Sequence, residues 1–380
     1  MLSILFEYET LRVIWWLLLG ALLIGYAIMD GFDLGVATLL PFIAKTEVEK
    51  RILINTIEPY WEGNQIWLVL GGGAIFAAWP AIYAVSFSGL YLALCLVLVA
   101  LILRPVSFAF RNKYESETWR GFWSWTHFIS GFLPSILTGV AVGNVIIGLP
   151  FKIDANDLSI TYHGSFFDLL NPFALLCGLV SLSMLIMQGG VYTALKTEEL
   201  IAERSKKIAK LAGIILLVLY AIGGLLSAIM VKGYVITSNI VTNGPSNPLY
   251  KTVEQVNGAW FNNFINMPWT LFAPLIVILG VIFTIRFTNK DKMGCAFISS
   301  SLAITGVVST VGLIMFPFIL PSSYDLASSL TVWDSSSSAL TLKVMLITTL
   351  IFFPIVLIYT AWVFRVLRGK VTEKNIEEKY

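Results

Sequence analysis

The residues most able to do chemistry in this chain are two aspartates inside its first apolar segment. They stand in the sequence MDGFDLG at residues 29–35. Asp30 and Asp33 are three residues apart, so they share one face of a helix. Counted back from residue 40, where the segment ends, they lie on the order of 10–15 Å inside the membrane. An ionisable side chain there costs about 2.5–3.5 kcal/mol, which makes both functional candidates.

A second polar strip opens the next apolar segment, in the sequence EPYWEGNQIW at residues 58–67. Glu58 and Glu62 are four residues apart, which predicts that they face the same way on a helix. Asn64 and Gln65 extend this strip by one turn. The strip therefore brings two more carboxylates and two amides to the membrane.

Other polar features surround the strip. Thr46 and Glu49 have the spacing of a capping box, which predicts a helix that starts earlier and kinks at Pro59. Arg104, followed by a proline, ends the third apolar segment on the same side, and His127 lies early in the fourth. The polar groups of four segments thus collect in one half of the membrane.

Carboxylates spaced in this way can pass a proton along, and the functional interpretation is a proton-uptake half-channel from the cytoplasm. The structural interpretation is that the acids pair with each other, with Arg104 or with a partner subunit. Function is favoured for Asp33 and Glu62. The two interpretations weigh equally for Asp30, and the structural one is favoured for Glu58. Arg104 is expected to be a counter-ion or a snorkelling anchor.

The sequence does not indicate a metal centre. Its two histidines are His127, expected to form hydrogen bonds at the membrane interface, and His163, expected to be solvated in an outer loop. The three cysteines lie far apart in apolar runs and form no metal-binding pair. A haem or copper centre wants two or more positioned ligands. No metal or cofactor owned by this chain is therefore expected.

The composition requires a membrane. Of 380 residues, 57% are hydrophobic and only 13% are charged, whereas a soluble domain carries roughly a quarter charged residues. A membrane-spanning helix needs about 20 mostly apolar residues. The chain is therefore predicted to be one all-α polytopic membrane domain over residues 1–380, with about nine transmembrane helices. The predicted spans are 11–40, 58–78, 81–104, 121–147, 166–195, 209–231, 264–285, 293–319 and 341–366.

The basic residues predict the orientation. With the N-terminus outside, the cytoplasmic segments hold 20 of the 25 lysines and arginines, in agreement with the positive-inside rule. Lys374 and Lys379 in the C-terminal tail are among them. The C-terminus is then cytoplasmic and the longest external loop is 232–263. A net charge of +2 implies no nucleic-acid partner.

At these motifs the chain resembles subunit II of the cytochrome bd-type quinol oxidases, which are bacterial terminal oxidases. The likeness runs in order over nearly the whole chain, and several separate motifs in register make it specific. The motifs are WW (15–16), MDGFDLG (29–35), PYWEGNQIW (59–67), FAAWP (76–80), RPV (104–106), LNPF (170–173), MFPF (315–318), PSS (321–323) and YTAW (359–362).

The resemblance implies the haem-free subunit of a quinol:oxygen oxidoreductase in the bacterial cytoplasmic (inner) membrane. Its partner would be a haem-bearing subunit I with two b-type haems and one d-type haem, which oxidises quinol and reduces oxygen to water. Both subunits would share a fold of helix bundles about a pseudo-two-fold axis. A structural quinone in this subunit and small single-helix subunits are further expected components, beside membrane lipid.

The resemblance also assigns Asp33 and the acid at position 62 to a proton path at the subunit interface. Two residues depart from the family pattern. Glu62 stands where members carry Asp, and Tyr60 stands where some carry His. The longer Glu62 keeps the acid but moves it by about one bond.

Two other functions stay open on the residues alone. A proton-coupled secondary transporter would use the same carboxylates, but transporters place broken helices and substrate groups at the midplane. The polar groups of this chain crowd towards one side instead. A pure assembly scaffold would use every acid as a structural ion pair.

Overall fold

The computed structural model describes residues 7–373 as a bundle of long helices with short strands in the connecting loops. The predicted cytoplasmic cations Lys374 and Lys379 lie outside the described residues. The helices are α1 Tyr8–Ile43, α2 Glu47–Ile57, α3 Trp61–Ala78, α4 Pro80–Gly89, α5 Tyr91–Arg111, α6 Glu117–Ile147, α7 Pro172–Lys196, α8 Glu199–Ile229, α9 Asn262–Asn266, α10 Phe272–Asn289, α11 Met293–Met315 and α12 Ala339–Val366.

Within the described residues, eight helices are long and apolar enough to cross a membrane, and they correspond to eight of the nine predicted spans. The ninth, predicted over 58–78, forms α3 with 18 residues. Its first turns carry Glu62, Asn64 and Gln65, which lower its hydropathy. The predicted span 81–104 is divided at Leu90 between α4 and α5.

The strands form three two-stranded antiparallel hairpins in the loops on the side where α1 begins. They are β1 Phe151–Ile153 with β2 Ile160–Tyr162, β3 Lys232–Ile236 with β4 Val253–Asn257, and β5 Phe318–Leu320 with β6 Leu330–Thr331. The hairpin of β3 and β4 pairs Lys232 with Asn257 and Ile236 with Val253. The loop predicted over 232–263 is therefore folded rather than irregular. These loops together are called the cap below.

Helix α1 runs through the centre of the bundle, and every residue from Asp30 to Leu40 is buried. Glycines allow its neighbours to approach this closely. A Cβ added to Gly35 would lie 2.1 Å from the carbonyl oxygen of Leu185 in α7, and one added to Gly131 in α6 would lie 2.5 Å from the carbonyl oxygen of Leu34. Backbone contact of this kind is typical of membrane helices, and it surrounds the two aspartates with protein on all sides.

Candidate functional site

Asp30 of α1 forms a buried ion pair with Arg104 of α5. Arg104 Nη1 lies 2.5 Å from Asp30 Oδ1 and Nη2 lies 3.4 Å from Oδ2. Both side chains are 0% exposed. A bidentate arginine–carboxylate pair is a strong, directional contact. Arg104 is therefore a counter-ion and not a snorkelling anchor, because its guanidinium lies wholly inside the protein.

Asp33, one helical turn further on, is also 0% exposed but has a neutral partner. Its Oδ2 accepts a hydrogen bond of 2.9 Å from Asn64 Nδ2 in α3. Its Oδ1 has no hydrogen-bond partner within residues 7–373. The two aspartates predicted to share a helix face are thus both buried, yet only Asp30 has a cation against it.

Glu62 lies on the outer surface of α3, away from the aspartates. Its neighbours on that surface include Ile66, 49% exposed, and Val69, 68% exposed. Asn64, two residues later, turns inward and is 2% exposed, whereas Gln65 is half-buried. The start of α3 therefore presents an acid outward and an amide inward, and only the amide contacts Asp33.

Glu58 and Glu62 do not lie on one helix face, so the prediction from their spacing was wrong. The chain leaves α2 at Glu58 and makes a turn through Pro59 before α3 begins. The backbone N–H of Tyr60 donates to the carbonyl of Ile57 at 2.9 Å. Proline has no N–H to continue the helical hydrogen bonds, which explains the break. Glu58 is half-buried at this turn.

The capping box predicted before this break is present. Thr46 Oγ1 accepts from the backbone N–H of Glu49 at 3.2 Å, and Glu49 Oε2 accepts from the N–H of Thr46 at 3.3 Å. Glu49 Oε2 also lies 2.9 Å from Arg204 Nη1. Burial raises the pKa of Glu49, but the N–H of Lys45 and the bonds from Arg204 outweigh it, so the pKa lies below its usual value. We call this group the rim.

His127 is enclosed within the bundle at 1% exposure, and it forms a side-chain hydrogen bond, as predicted. Its Nδ1 lies 2.9 Å from Ser107 Oγ. That hydroxyl donates its proton to the carbonyl of Arg104 at 2.6 Å. Ser107 must therefore accept from Nδ1–H, which leaves Nε2 as an acceptor. Within the described chain, Nε2 has no partner.

One residue near this cluster was missed in the sequence. Tyr26 precedes Asp30 by four residues, so it lies on the same face of α1. It is 7% exposed, and its hydroxyl has no hydrogen-bond partner in the part of the chain that the structure describes. The spacing from Asp30 was the available signal. Four side chains of this region each have one buried polar atom without a partner among residues 7–373: Tyr26, Asp33, Arg104 and His127.

The surroundings of His127 do not fit a haem ligand. The ring of Phe108 packs against the imidazole, with 5.0 Å between ring centroids, and a macrocycle would have to displace it. His163 is exposed in the cap and stacks on Tyr324 at 4.0 Å. Residues 7–373 contain no group of three or more His, Cys, Asp or Glu side chains arranged to hold a metal ion.

These features define a multi-pass integral membrane protein with an ionisable cluster in its interior. Comparison with known proteins identifies the family. The family described as cytochrome bd terminal oxidase subunit II matches residues 11–367, and the chain belongs to it. The chain is accordingly a bacterial inner-membrane protein and a subunit of a terminal oxidase.

Relatives match over almost their full length. The probable cytochrome oxidase subunit 2 of Haemophilus influenzae is 47% identical over 98% of both chains. The cytochrome bd-I ubiquinol oxidase subunit 2 of Escherichia coli K12 is 45% identical, again over 98% of both. A chain in the structure of the bd oxidase from Geobacillus thermodenitrificans has the same fold, with a TM-score of 0.69 at 19% identity, over 94% of this chain and 100% of that chain.

Proposed function

We propose that this chain pairs with the haem-bearing subunit I of a cytochrome bd-type oxidase and carries part of the proton route for oxygen reduction. The haems of subunit I, two of b type and one of d type, supply the electron transfer and the reduction of oxygen to water. Quinol is the reductant, as the name of the Escherichia coli relative states for ubiquinol. A structural quinone and small single-helix subunits remain predictions from the resemblance.

The observation that carries the proposal is the contrast between the two buried aspartates. Asp30 has Arg104 against it at 2.5 Å, so its charge is compensated. Asp33 is as deeply buried, but its only hydrogen bond within the described residues comes from an amide, and one oxygen is free. A buried carboxyl without a counter-ion is suited to taking up and releasing a proton.

Glu62 supports the pairing with a partner subunit. It is an exposed acid on a surface of apolar residues at the start of α3. A carboxylate facing lipid is costly, whereas one facing a protein partner can be solvated by polar groups or trapped water. Helix α12, which contacts α3, is also largely unburied, because only Leu342 and Leu346 among its 28 residues are buried. The faces of α3 and α12 are proposed to receive subunit I.

The proposed route has two parts, an outer one at Glu58 and Glu62 and an inner one at Asp33, because Glu62 faces away from the aspartates. Glu58, at the turn before α3, receives protons from the aqueous side, and Glu62 passes them along the subunit boundary. Asp33 holds the proton in the interior, oriented by Asn64. Asp30 is paired with Arg104 and is proposed to hold that side chain in place rather than to carry a transferable proton. Gln65, half-buried beside this path, is a supporting polar group.

The test is oxygen consumption and proton uptake by the purified complex in proteoliposomes. Asp33→Asn and Glu62→Gln are each expected to slow both rates by about tenfold or more, because positioned acid–base groups contribute about 10²–10⁴-fold. Asp157→Asn, on an exposed loop of the cap, is the matched control and should leave both rates unchanged. Wild-type rates and haem content in both acid variants would refute the route.

The pairing is tested separately by purifying the tagged chain from its native membrane in mild detergent. Co-purification of a larger chain with b- and d-type haem bands in the reduced-minus-oxidised spectrum is expected. A colourless chain recovered intact and alone would refute the pairing and favour a transporter. Loss of haem from the acid variants, without a separate loss of proton uptake, would favour a scaffold.

A further inference from the structure

Lys196, at the end of α7, is a buried cation that has no acidic partner among the described residues. It is 8% exposed, and its Nζ lies 3.0 Å from Tyr60 Oη and 2.9 Å from the carbonyl oxygen of Leu367. No carboxylate within residues 7–373 forms a salt bridge with it. Lysine is almost never buried unless it is paired. The burial of Lys196 without a salt bridge therefore requires another stabilising contact.

The C-terminal end of α12 provides this contact. Leu367 is the C-terminal cap residue of α12, and the carbonyls at a helix C-terminus carry partial negative charge. The ammonium of Lys196 thus caps α12 in place of forming an ion pair. The backbone N–H of Val371 returns a hydrogen bond of 2.8 Å to the carbonyl of Lys196. Segment 367–371 is in this way fastened to the end of α7.

Tyr60 is held by the same contacts. Its hydroxyl donates to the carbonyl of Leu367 at 2.7 Å and accepts from Lys196. Its ring stacks on Phe364 of α12, with centroids 4.6 Å apart and planes 19° apart. Tyr60 is the residue immediately before α3, so these contacts fix the point at which that helix starts.

A continuous series of contacts leads from Tyr60 to the buried aspartate. The carbonyl of Tyr60 accepts the hydrogen bond of 3.0 Å from the backbone N–H of Asn64. The side chain of Asn64 in turn donates to Asp33 Oδ2 at 2.9 Å. A displacement of Tyr60 would therefore rotate or shift the first turn of α3 and move the amide away from Asp33.

We propose that Lys196 is a positioning residue for proton transfer, which acts through Tyr60 to keep Asn64 in contact with Asp33. This inference rests on the proposed proton route and adds a residue that lies outside the acidic motifs. It also gives segment 364–371 a role, because that segment provides the carbonyl and the ring between which Tyr60 is fixed.

The experiment is a double-mutant cycle in the complete oxidase, with proton uptake and quinol kinetics as readouts. Lys196→Met is expected to slow proton uptake about tenfold with an unchanged KM for quinol, the loss associated with one charge-assisted hydrogen bond. Lys196→Arg should restore most of the rate. In an Asn64→Ala background, Lys196→Met should add less than about twofold, because both changes break one series of contacts.

Lys207→Met is the matched control, since Lys207 is exposed on the neighbouring helix α8, and its rate should equal that of the wild type. If the fold losses in proton-uptake rate of Lys196→Met and Asn64→Ala multiply in the double variant, the inference is overturned. A merely structural lysine would act independently of Asn64. A wild-type rate for Lys196→Met would overturn it as well.

If Lys196→Met fails to assemble, Tyr60→Phe decides the matter, because it keeps the ring stacked on Phe364 and removes only the hydroxyl. Uptake slowed about tenfold supports the inference, and a wild-type rate overturns it. Asp33→Asn separates this result from the proton route itself. A normal rate in Asp33→Asn refutes the route. A slow Asp33→Asn beside a normal Lys196→Met or Tyr60→Phe refutes only the positioning role.

Discussion

The cap and the membrane interior both contain buried charged side chains, but they differ in how completely these side chains are paired and hydrogen-bonded. In the cap, Lys251 Nζ lies 2.8 Å from Asp334 Oδ2, and the two side chains are 3% and 11% exposed. Arg12, in the first turns of α1 where that helix meets the cap, is 0% exposed, and all three of its nitrogens donate to residues of the cap. Their acceptors are Ser336 Oγ, the carbonyls of Thr242 and Gly244, and Ser246 Oγ.

In the interior cluster, not every buried polar atom has a hydrogen-bond partner. Asp33 Oδ1, Arg104 Nε and His127 Nε2 are buried without a partner in the described chain. Each unsatisfied buried group costs about 1–3 kcal/mol, and such groups in native proteins call for an explanation. In the cap the uncharged Tyr162 Oη and Trp260 Nε1 also lack partners within the described residues, but the buried charges Lys251 and Asp334 are paired with each other. The interior keeps unsatisfied groups, which is the pattern expected where protons must be exchanged.

The largest expected effect comes from the buried ion pair of Asp30 and Arg104 in the interior cluster. Arg104→Met leaves Asp30 buried without its counter-ion, which should destabilise the complex by about 3–5 kcal/mol. Thermal unfolding and haem content of the purified oxidase measure it. The double variant Arg104→Met/Asp30→Asn removes both charges and should recover most of the loss. Unchanged stability in the single variant would contradict the assignment of Arg104 as a counter-ion.

The cap should respond in stability alone. Lys251→Met removes the partner of Asp334, whose Oδ1 still accepts from the N–H of Thr331 at 2.9 Å. A loss of about 1–3 kcal/mol is expected, read as a lower Tm, with normal turnover for each assembled complex. Lys232→Met, at an exposed position in β3, is the control. A selective loss of turnover at full haem content would show that the cap differs less from the interior than we infer.

The sequence predicted the composition of the interior cluster but not its pairing. Hydropathy and spacing were enough to bring Asp30, Asp33, Asn64 and Arg104 to one region. Which aspartate meets the arginine depends on the rotation of α5 about its axis, which no local pattern encodes. The outward direction of Glu62 likewise follows from the break at Pro59. Because the chain turns there, residues before and after the break no longer follow one helical periodicity.

The contacts of Lys196 with Tyr60 and Leu367 were not predictable, because they join residues far apart in the chain. Lys196 is separated from Tyr60 by 136 positions and from Leu367 by 171. The lysine resembles any cation at the end of a membrane helix, where exposure is the usual outcome. The enclosure of His127 was not predictable for a related reason, since it follows from the packing of α5 against α6 and not from its position near a helix end.

The smallest expected effect lies at the rim, where Glu49 and Arg204 are paired, as Lys251 and Asp334 are in the cap. Because its hydrogen bonds lower the pKa of Glu49 in the folded protein, the ionised carboxylate stabilises the fold fully above the unfolded value of about 4.5. That contribution is lost as the pH falls through the lower folded value. Glu49→Gln should therefore reduce Tm at pH 7 by the equivalent of about 1 kcal/mol or less.

The difference in Tm between the wild type and Glu49→Gln should shrink as the pH is lowered below about 5, while turnover at pH 7 stays normal. Glu117→Gln, at an exposed position in the first turn of α6, should show no such convergence. A difference in Tm that stayed constant with pH would mean that Glu49 acts through its shape and not its charge. The rim would then be a neutral helix cap, and the contrast with the interior would rest on the cap alone.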